Sequence, residues 1–359
     1  MHTKAKDPKA RPIRLADVAK AAGVSHGTAS NVFSRPAIVR EEVRERVKAA
    51  AEKLGYGGPD PKGRLLRAGR VNAIGVAAAW ELSYFFEDPF ARVVMAAVAK
   101  ECDRTGAGIS LVSAMNDEHL AWNIQSALVD GFVVFCSGEG SRVVQLARER
   151  KLPFVTLDFA EADDTISSIG IDDEAGARMA AEHLLELGHR RFAILALPVA
   201  EERPGPTTAA HVSLAIHSGT RNRFRGYAEA LDRSGLNIAD VAIYETDNEE
   251  ESTWAGMDHL FSSGRPPSAI LAMSDRMALA ALDWLAARGI SVPGEVSVIG
   301  FDGVPEGEIS EPPLTTIAQP MAEMGRRAVE MIRSFDGTIR RETFDVELVV
   351  RGSTAAPLS

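Results

Sequence analysis

His26 and Asn31 stand five positions apart, and both side chains can read a nucleic acid. An imidazole donates to or accepts from a base edge, and a carboxamide pairs bidentately with N6 and N7 of adenine. Thr28 and Ser30 between them carry hydroxyls suited to phosphate oxygens, contacts that position without specifying. Gly27 offers no side chain and so admits a thymine methyl or a backbone contact. No comparable grouping for covalent chemistry exists: the chain lacks a GxGxxG after a strand, a P-loop, HExxH and GxSxG. The eight histidines are dispersed, and His189 in LGHRR reads as a helix C-terminal residue favoured by the dipole. Neither catalysis nor a cofactor or metal is expected.

The five residues need a helix that turns them outward together, and residues 15–33, LADVAKAAGVSHGTASNVF, supply it. Ala16, Val18, Ala19 and Ala22 give a first short helix one apolar face. Gly23 breaks it, and Ser25 caps a second helix from about His26 to Phe33. Ala29, Val32 and Phe33 face inward, which leaves His26, Gly27, Thr28, Ser30 and Asn31 outside. Two helices joined by a tight glycine turn form a helix-turn-helix, whose second helix enters the DNA major groove. The plainer alternative is a helical hairpin within a core.

Charge favours the first reading. Residues 1–70 hold sixteen Lys/Arg against seven Asp/Glu, whereas the whole chain is at −10, so the body is acidic and the head basic. That division fits polyanion binding confined to the head. At 359 residues the chain can build two or three domains, and 45% hydrophobic residues suffice for sizeable cores. It contains no membrane-length apolar run and no secretory h-region, and Cys102 and Cys136 read as reduced thiols. A cytoplasmic, nucleoid-associated protein with no membrane partner is expected.

Beyond the head, Arg40–Leu54 predicts a third helix with Val43, Val47, Ala51 and Leu54 on one stripe, ended by Gly55. Residues 55–70 are a Gly/Pro-rich, basic linker. From Val71 short apolar strands alternate with amphipathic helices. Strands are predicted at Ile74–Ala79, Gly108–Ser113, Gly131–Cys136 and Phe154–Leu157, then at Phe192–Leu197, Val241–Tyr244, Ala269–Met273 and Val296–Phe301. The pattern means α/β architecture with two doubly wound parallel sheets, and a ligand in the crevice between strand C-termini.

Eight motifs now stand in order: LADVAKAAGVS at 15–25, RERVKAAAEKLGY at 44–56, LLRAGR at 65–70, HLLELGHRRFAIL at 183–195, RFRGYAEAL at 223–231, SDRMALAAL at 274–282, ISVPGEVSVIGFDG at 290–303 and PPLTTIAQPMAEMGRRAV at 312–329. Through them the chain resembles the lactose-repressor/purine-repressor (LacI/GalR) family of bacterial transcription regulators over almost its whole length. The resemblance implies a helix-turn-helix head at 1–56, a hinge at 57–70 and a periplasmic-binding-protein-like core at 71–359. One subdomain would span about 71–170 and 320–336, the other about 171–319 and 337–353.

The same resemblance implies a homodimer, more a repressor than an activator, on a pseudo-palindromic double-stranded operator. Base contacts would fall on His26, Gly27 and Asn31, with Leu66 as an apolar wedge in the minor groove. Gly27 departs from a larger polar residue. Gly63 replaces a helix-favouring alanine in a slightly lengthened hinge, leaving its register open. Effector contacts carry over to Phe90, Asp158, Arg223, Ser274 and Asp302, where carboxylates and a guanidinium can hold the hydroxyls of a sugar-like molecule. Ser274 stands where asparagine is commoner, and the segment between Leu197 and Arg223 is longer than usual, either a lid or a passive loop. The competing readings are a transport sugar-binding protein, which should lack the basic head, and a sugar-processing enzyme fused to a DNA-binding head, which should show a catalytic cluster.

Overall fold

The computed structural model describes residues 13–58, 70–78, 80–113, 117–135, 142–157, 164–200, 204–262 and 264–358. Leu66, Cys136 and Asp158 lie outside them. The chain divides into two compact units, Met1–Val71 and Asn72–Ser359.

In the smaller unit, α1 (Leu15–Ala21), α2 (His26–Ser34) and α3 (Glu41–Leu54) enclose a small core. Leu15, Val18, Ala19, Ala29, Val32, Val47 and Ala51 are buried in it, with Phe33 and Tyr56 packed edge-on at 5.7 Å. Ala16 is exposed, so Leu15 rather than Ala16 supplies the start of the inner face of α1. Gly23 turns the chain at φ +63, a left-handed value that glycine adopts without strain. Ser25 Oγ then accepts from the Thr28 amide at 3.1 Å and caps α2. Gly55, at φ +69, ends α3.

In the larger unit the first half runs β1 (Ala73–Ala78), α4 (Tyr84–Glu87), α5 (Pro89–Thr105), β2 (Gly108–Ser113), α6 (Asp117–Ser126), β3 (Gly131–Phe135), α7 (Arg142–Glu149), β4 (Phe154–Leu157) and β5 (Ser167–Ile171). The second runs α8 (Asp173–Glu186), β6 (Phe192–Ala196), β7 (Gly205–Thr207), α9 (Ala209–Val212), α10 (Ser218–Arg233), β8 (Ala242–Glu245), α11 (Glu250–Phe261), β9 (Ala269–Ala272), α12 (Asp275–Ala287), β10 (Ser297–Asp302), α13 (Glu306–Ile309) and β11 (Thr315–Ala318). After α14 (Met321–Arg333) come β12 (Arg341–Phe344) and β13 (Glu347–Val349).

The first sheet has the order β12-β5-β4-β3-β1-β2 and is parallel throughout. The second, β13-β11-β10-β9-β6-β8-β7, is parallel except for its two edges. Interior strands such as β3, β6, β9 and β10 are buried on both faces; the first three read as unbroken apolar runs, and β10 does so between Ser297 and Asp302. Strand order reverses between β6 and β9, where such sheets open a crevice at their carboxyl ends.

One boundary differs from expectation. α14 returns to the first half, but the chain does not cross back near residue 337, because β12 adds to the outer edge of β5. Phe344 packs on the first core and Glu342 takes Arg327 of α14, holding Arg341–Phe344 on that side. The segment after Leu197 is partly anchored: β7 pairs with β8, and Val212 and Ala215 are buried. Among the described residues no helix is long and apolar enough to cross a membrane.

Candidate functional sites

On α2 His26 and Gly27 are exposed, and Thr28, Ser30 and Asn31 are half-exposed. Thr28 Oγ1 is held by Ser25 Oγ at 2.9 Å, whereas no side-chain hydrogen bond of His26 or Asn31 occurs among the described residues. Their donors and acceptors are therefore available at the start of a capped helix. A Cβ on Gly27 would meet only Ser25 Oγ, at 3.8 Å, so neither backbone nor space demands glycine here.

The second candidate site lies at the reversal in the second sheet. α10 crosses α8 so closely that a Cβ on Gly226 would fall 2.2 Å from the Glu174 carbonyl oxygen. This approach fixes Arg223, one turn earlier, in the interior. Its Nε donates to Asp173 Oδ1 at 2.7 Å, and one terminal nitrogen donates to the Met273 carbonyl beyond β9 and to Asp302 Oδ1 at 3.4 Å. The guanidinium carbon sits 3.8 Å from the Phe301 ring centroid, a cation–π contact.

Asp302 ends β10 with φ 131, a strained value for a residue with a side chain, held by its surroundings. Its carboxylate accepts from Gln319 Nε2 at 2.8 Å and from the Asp275 amide at 3.3 Å. Beneath it Asp275, without exposure, accepts from the amides of Gly303 and Val304 at 2.7 and 2.8 Å and from Thr316 Oγ1 at 2.5 Å. Burial is the main cause that pushes both carboxyls upward. For Asp302 the guanidinium of Arg223 opposes the rise and the neighbouring Asp275 adds to it.

Ser274 caps α12, accepting from the Met277 amide at 3.1 Å while donating to Asn248 Oδ1 at 2.5 Å. Asn248 in turn donates to Asp88 Oδ2 across the cleft at 3.3 Å. Asp88 caps α5 through the Ala91 amide at 2.9 Å and faces Arg276 at 3.8 Å; burial, above all, raises its carboxyl. Two more contacts join the halves: Arg92 pairs with Glu306, and Trp80 stacks on His217 with ring centroids 6.2 Å apart.

The sequence-predicted Arg223, Ser274 and Asp302 thus come together within the second half, and Phe90 is half-buried against the first core. Sequence reasoning missed Asp88, Asp173, His217, Asn248, Asp275 and Gln319. Asp88 and Asp275 were visible as acids beside quoted motifs, in DPF and SDR; Asn248 and Gln319 carried no such signal. Among the described residues no group of His, Cys, Asp and Glu side chains could hold a metal ion.

Comparison with known proteins agrees with this anatomy. Residues 14–58 match the family "Bacterial regulatory proteins, lacI family", and residues 181–354 match "Periplasmic binding protein-like domain". The chain is 37% identical over 354 residues to an HTH-type transcriptional regulator of Mycobacterium tuberculosis, covering 97% of this chain and 98% of that protein. It is 33% identical over 353 residues to the HTH-type transcriptional repressor PurR of Salmonella typhi, with 95% and 96% covered. A lac repressor dimer bound to operator and the anti-inducer ONPF superposes with TM-score 0.77 at 26% identity, over 96% of this chain and 100% of that one. The transcriptional regulator CelR in its cellobiose complex gives 0.69 at 28%, over 95% and 99%.

Proposed function

The chain belongs to the lacI family of bacterial regulatory proteins, and from that premise we propose that it is a cytoplasmic repressor released or engaged by a small polar molecule. Two protomers pair as a homodimer, and each α2 reads one half of a pseudo-palindromic operator. His26, Gly27 and Asn31 meet base edges, and Thr28 and Ser30 meet phosphates. Residues 57–70 form the hinge, with Leu66 as the wedge that opens a base step. The effector, a hydroxyl-bearing ring compound, occupies the cleft beside Arg223, Ser274 and Asp302, with Phe90 on the facing half and Asp158 as a further contact.

The observation that carries this reading is the polar chain from Ser274 through Asn248 to Asp88. It places hydrogen-bonding groups of both halves around one crevice, so a bound molecule that prefers one degree of closure shifts that equilibrium. Coupling on the order of 1–3 kcal/mol between cleft and head suffices for control.

The test has two stages. Operator fragments selected from a random pool by the purified full chain should contain inverted half-sites. A thermal-shift screen of sugars, nucleosides and related polyols should then yield a compound that changes the affinity for that fragment. Selection that returns no inverted repeat, or a stabilising compound that leaves operator affinity unchanged, removes the reading.

A further inference from the structure

One helix, α14, meets the cleft at its first turn and the start of the larger unit at its last residue. Gln319, two residues ahead of the helix, is buried. Its Nε2 donates to Asp302 Oδ1 at 2.8 Å and its amide to the Asp302 carbonyl at 2.9 Å. Asp302 is the same carboxylate that Arg223 reaches. At the far end Arg333 donates from Nη1 to Asn72 Oδ1 at 3.4 Å. At about 1.5 Å per residue, the thirteen residues of α14 separate these two contacts by roughly 20 Å.

Asn72 is the point at which the chain enters the core: Val71 closes the smaller unit and β1 begins at Ala73. Three other elements fix it besides α14. Its amide donates to Asp130 Oδ2 at 2.7 Å ahead of β3, its carboxamide donates to the Gly106 carbonyl that closes α5, and its carbonyl accepts from the Gly108 amide of β2 at 2.8 Å. The backbone there is left-handed, at φ +60, which a residue with a side chain keeps only when its surroundings hold it. Between its two ends α14 has no slack. A Cβ on Gly325 would lie 2.6 Å from the Val94 carbonyl oxygen of α5, and one on Gly131 of β3 would lie 2.4 Å from Ile332 Cγ2. Packing this close passes displacement on instead of absorbing it.

Resting on the reading of this cleft as the site of control, we propose that α14 is the connecting rod between the cleft and the root of the hinge. Arg333 is then a positioning residue that acts through Asn72 and touches neither operator nor effector. Closure moves Asp302, at the end of β10, against the first half in whose core α14 is packed. Gln319 receives that displacement, the helix carries it, and Arg333 delivers it where the chain passes from hinge to core. Loss of Arg333 leaves the cleft and α2 intact and uncouples them.

Two measurements on the full chain test this, and neither needs an identified effector. Gln319→Met disturbs the cleft, since it keeps the side-chain volume and removes the donor to Asp302; Gln319→Ala replaces it should that chain not fold. Hydrogen exchange over residues 70–78, followed by mass spectrometry, reads the root of the hinge. Gln319→Met should speed exchange there about threefold or more in the wild-type background and add nothing to Arg333→Met. No effect, an equal effect in both backgrounds, or equally faster exchange over α7 (general loosening) overturns the proposal. The operator gives the second reading, on an inverted-repeat fragment that the full chain selects from a random pool. Gln319→Met should change affinity for it about threefold or more, and Arg333→Met should abolish that change. A response that is absent, or equal in both backgrounds, overturns the proposal as well. A chain that selects no inverted repeat counts against the repressor reading alone, and exchange at residues 70–78 then decides whether α14 couples.

Discussion

Asn248 of the second half donates its side-chain amide to Asp88 of the first at 3.3 Å, and at φ +65 it holds a left-handed backbone to do so. The same carboxamide accepts from Ser274 on its own side, so one residue reports the state of the cleft wall to the N-cap of α5. A hydrogen bond to a charged group is worth about 1.5–3 kcal/mol. Asn248→Ala should shift the effector-free core toward a more open form, seen as a larger radius of gyration by X-ray scattering. An identified effector should bind about tenfold or more weakly. An unchanged scattering curve together with unchanged affinity would show that the link bears no part of closure.

Asp302 gives the cleft a pH dependence whose sign follows from its raised carboxyl. The folded chain holds this proton at a pH where the unfolded chain has released it, so the group favours the fold at low pH and penalises it above its folded value. Asp302→Asn removes the titration. The variant's thermal midpoint should exceed wild type at pH 8, and the gap should narrow toward pH 5 as wild-type Asp302 is protonated. The half-buried His183 and the buried His189, both held below the usual imidazole range chiefly by desolvation, shift both proteins alike and cancel in the difference. A gap that widens on acidification would mean Arg223, not burial, dominates Asp302.

Strands β3, β6, β9 and β10 were legible because burial on both faces leaves an apolar run with no alternation. The edges were not: β12, RETF, pairs on one side only and carries three polar side chains, which in isolation look like a loop. The site divides similarly. Arg223 was legible through the family resemblance of RFRGYAEAL at 223–231, a motif contained in one helix, whereas Asp173 reaches Arg223 from fifty residues away in sequence. Asn248 and Gln319 matter through side chains that meet partners on other elements, which no local pattern encodes.

Asn31 is half-exposed on α2 with its amide uncommitted among the described residues. Asn31→Ala should relax preference at one symmetric base pair in each half-site by about 1–3 kcal/mol while weakening non-specific binding little. Sites selected by the variant from a random pool should lose information at that pair alone; an identical consensus would remove Asn31 from base reading.

Gly27 is the second residue of α2, its backbone suits any residue and the head has room for the extra methyl, so alanine there favours the fold by about 0.4–1 kcal/mol through the unfolded chain. Gly27→Ala should therefore raise the melting temperature of residues 13–58 followed within the full chain. It should also change which base the neighbouring position accepts, since a methyl replaces open space against DNA. Stabilisation without altered operator preference would assign Gly27 no part in recognition.

Gly226 presents the opposite case. A Cβ there would lie 2.2 Å from the Glu174 carbonyl oxygen, 2.8 Å from the Arg178 amide nitrogen and 2.9 Å from Ala177 Cβ. Two of these are backbone atoms of α8, so no side-chain rotation relieves the contact, and α10 must move away. Overpacking of this kind typically costs 1–3 kcal/mol. The consequence extends to the cleft because Arg223 sits one turn earlier on the same helix and spans from Asp173 to Asp302. Asp173 moves with α8 and Asp302 stays with β10, so lifting α10 stretches both of its bonds at once. Gly226→Ala should lower the thermal midpoint of the core and weaken effector binding beyond the loss seen with Ala228→Leu, a half-buried control on the same helix. Operator binding without effector should persist, because α2 and its core lie in the other unit. Effector affinity at the wild-type level in a folded Gly226→Ala chain would show that Arg223 does not depend on the α8–α10 approach for its place.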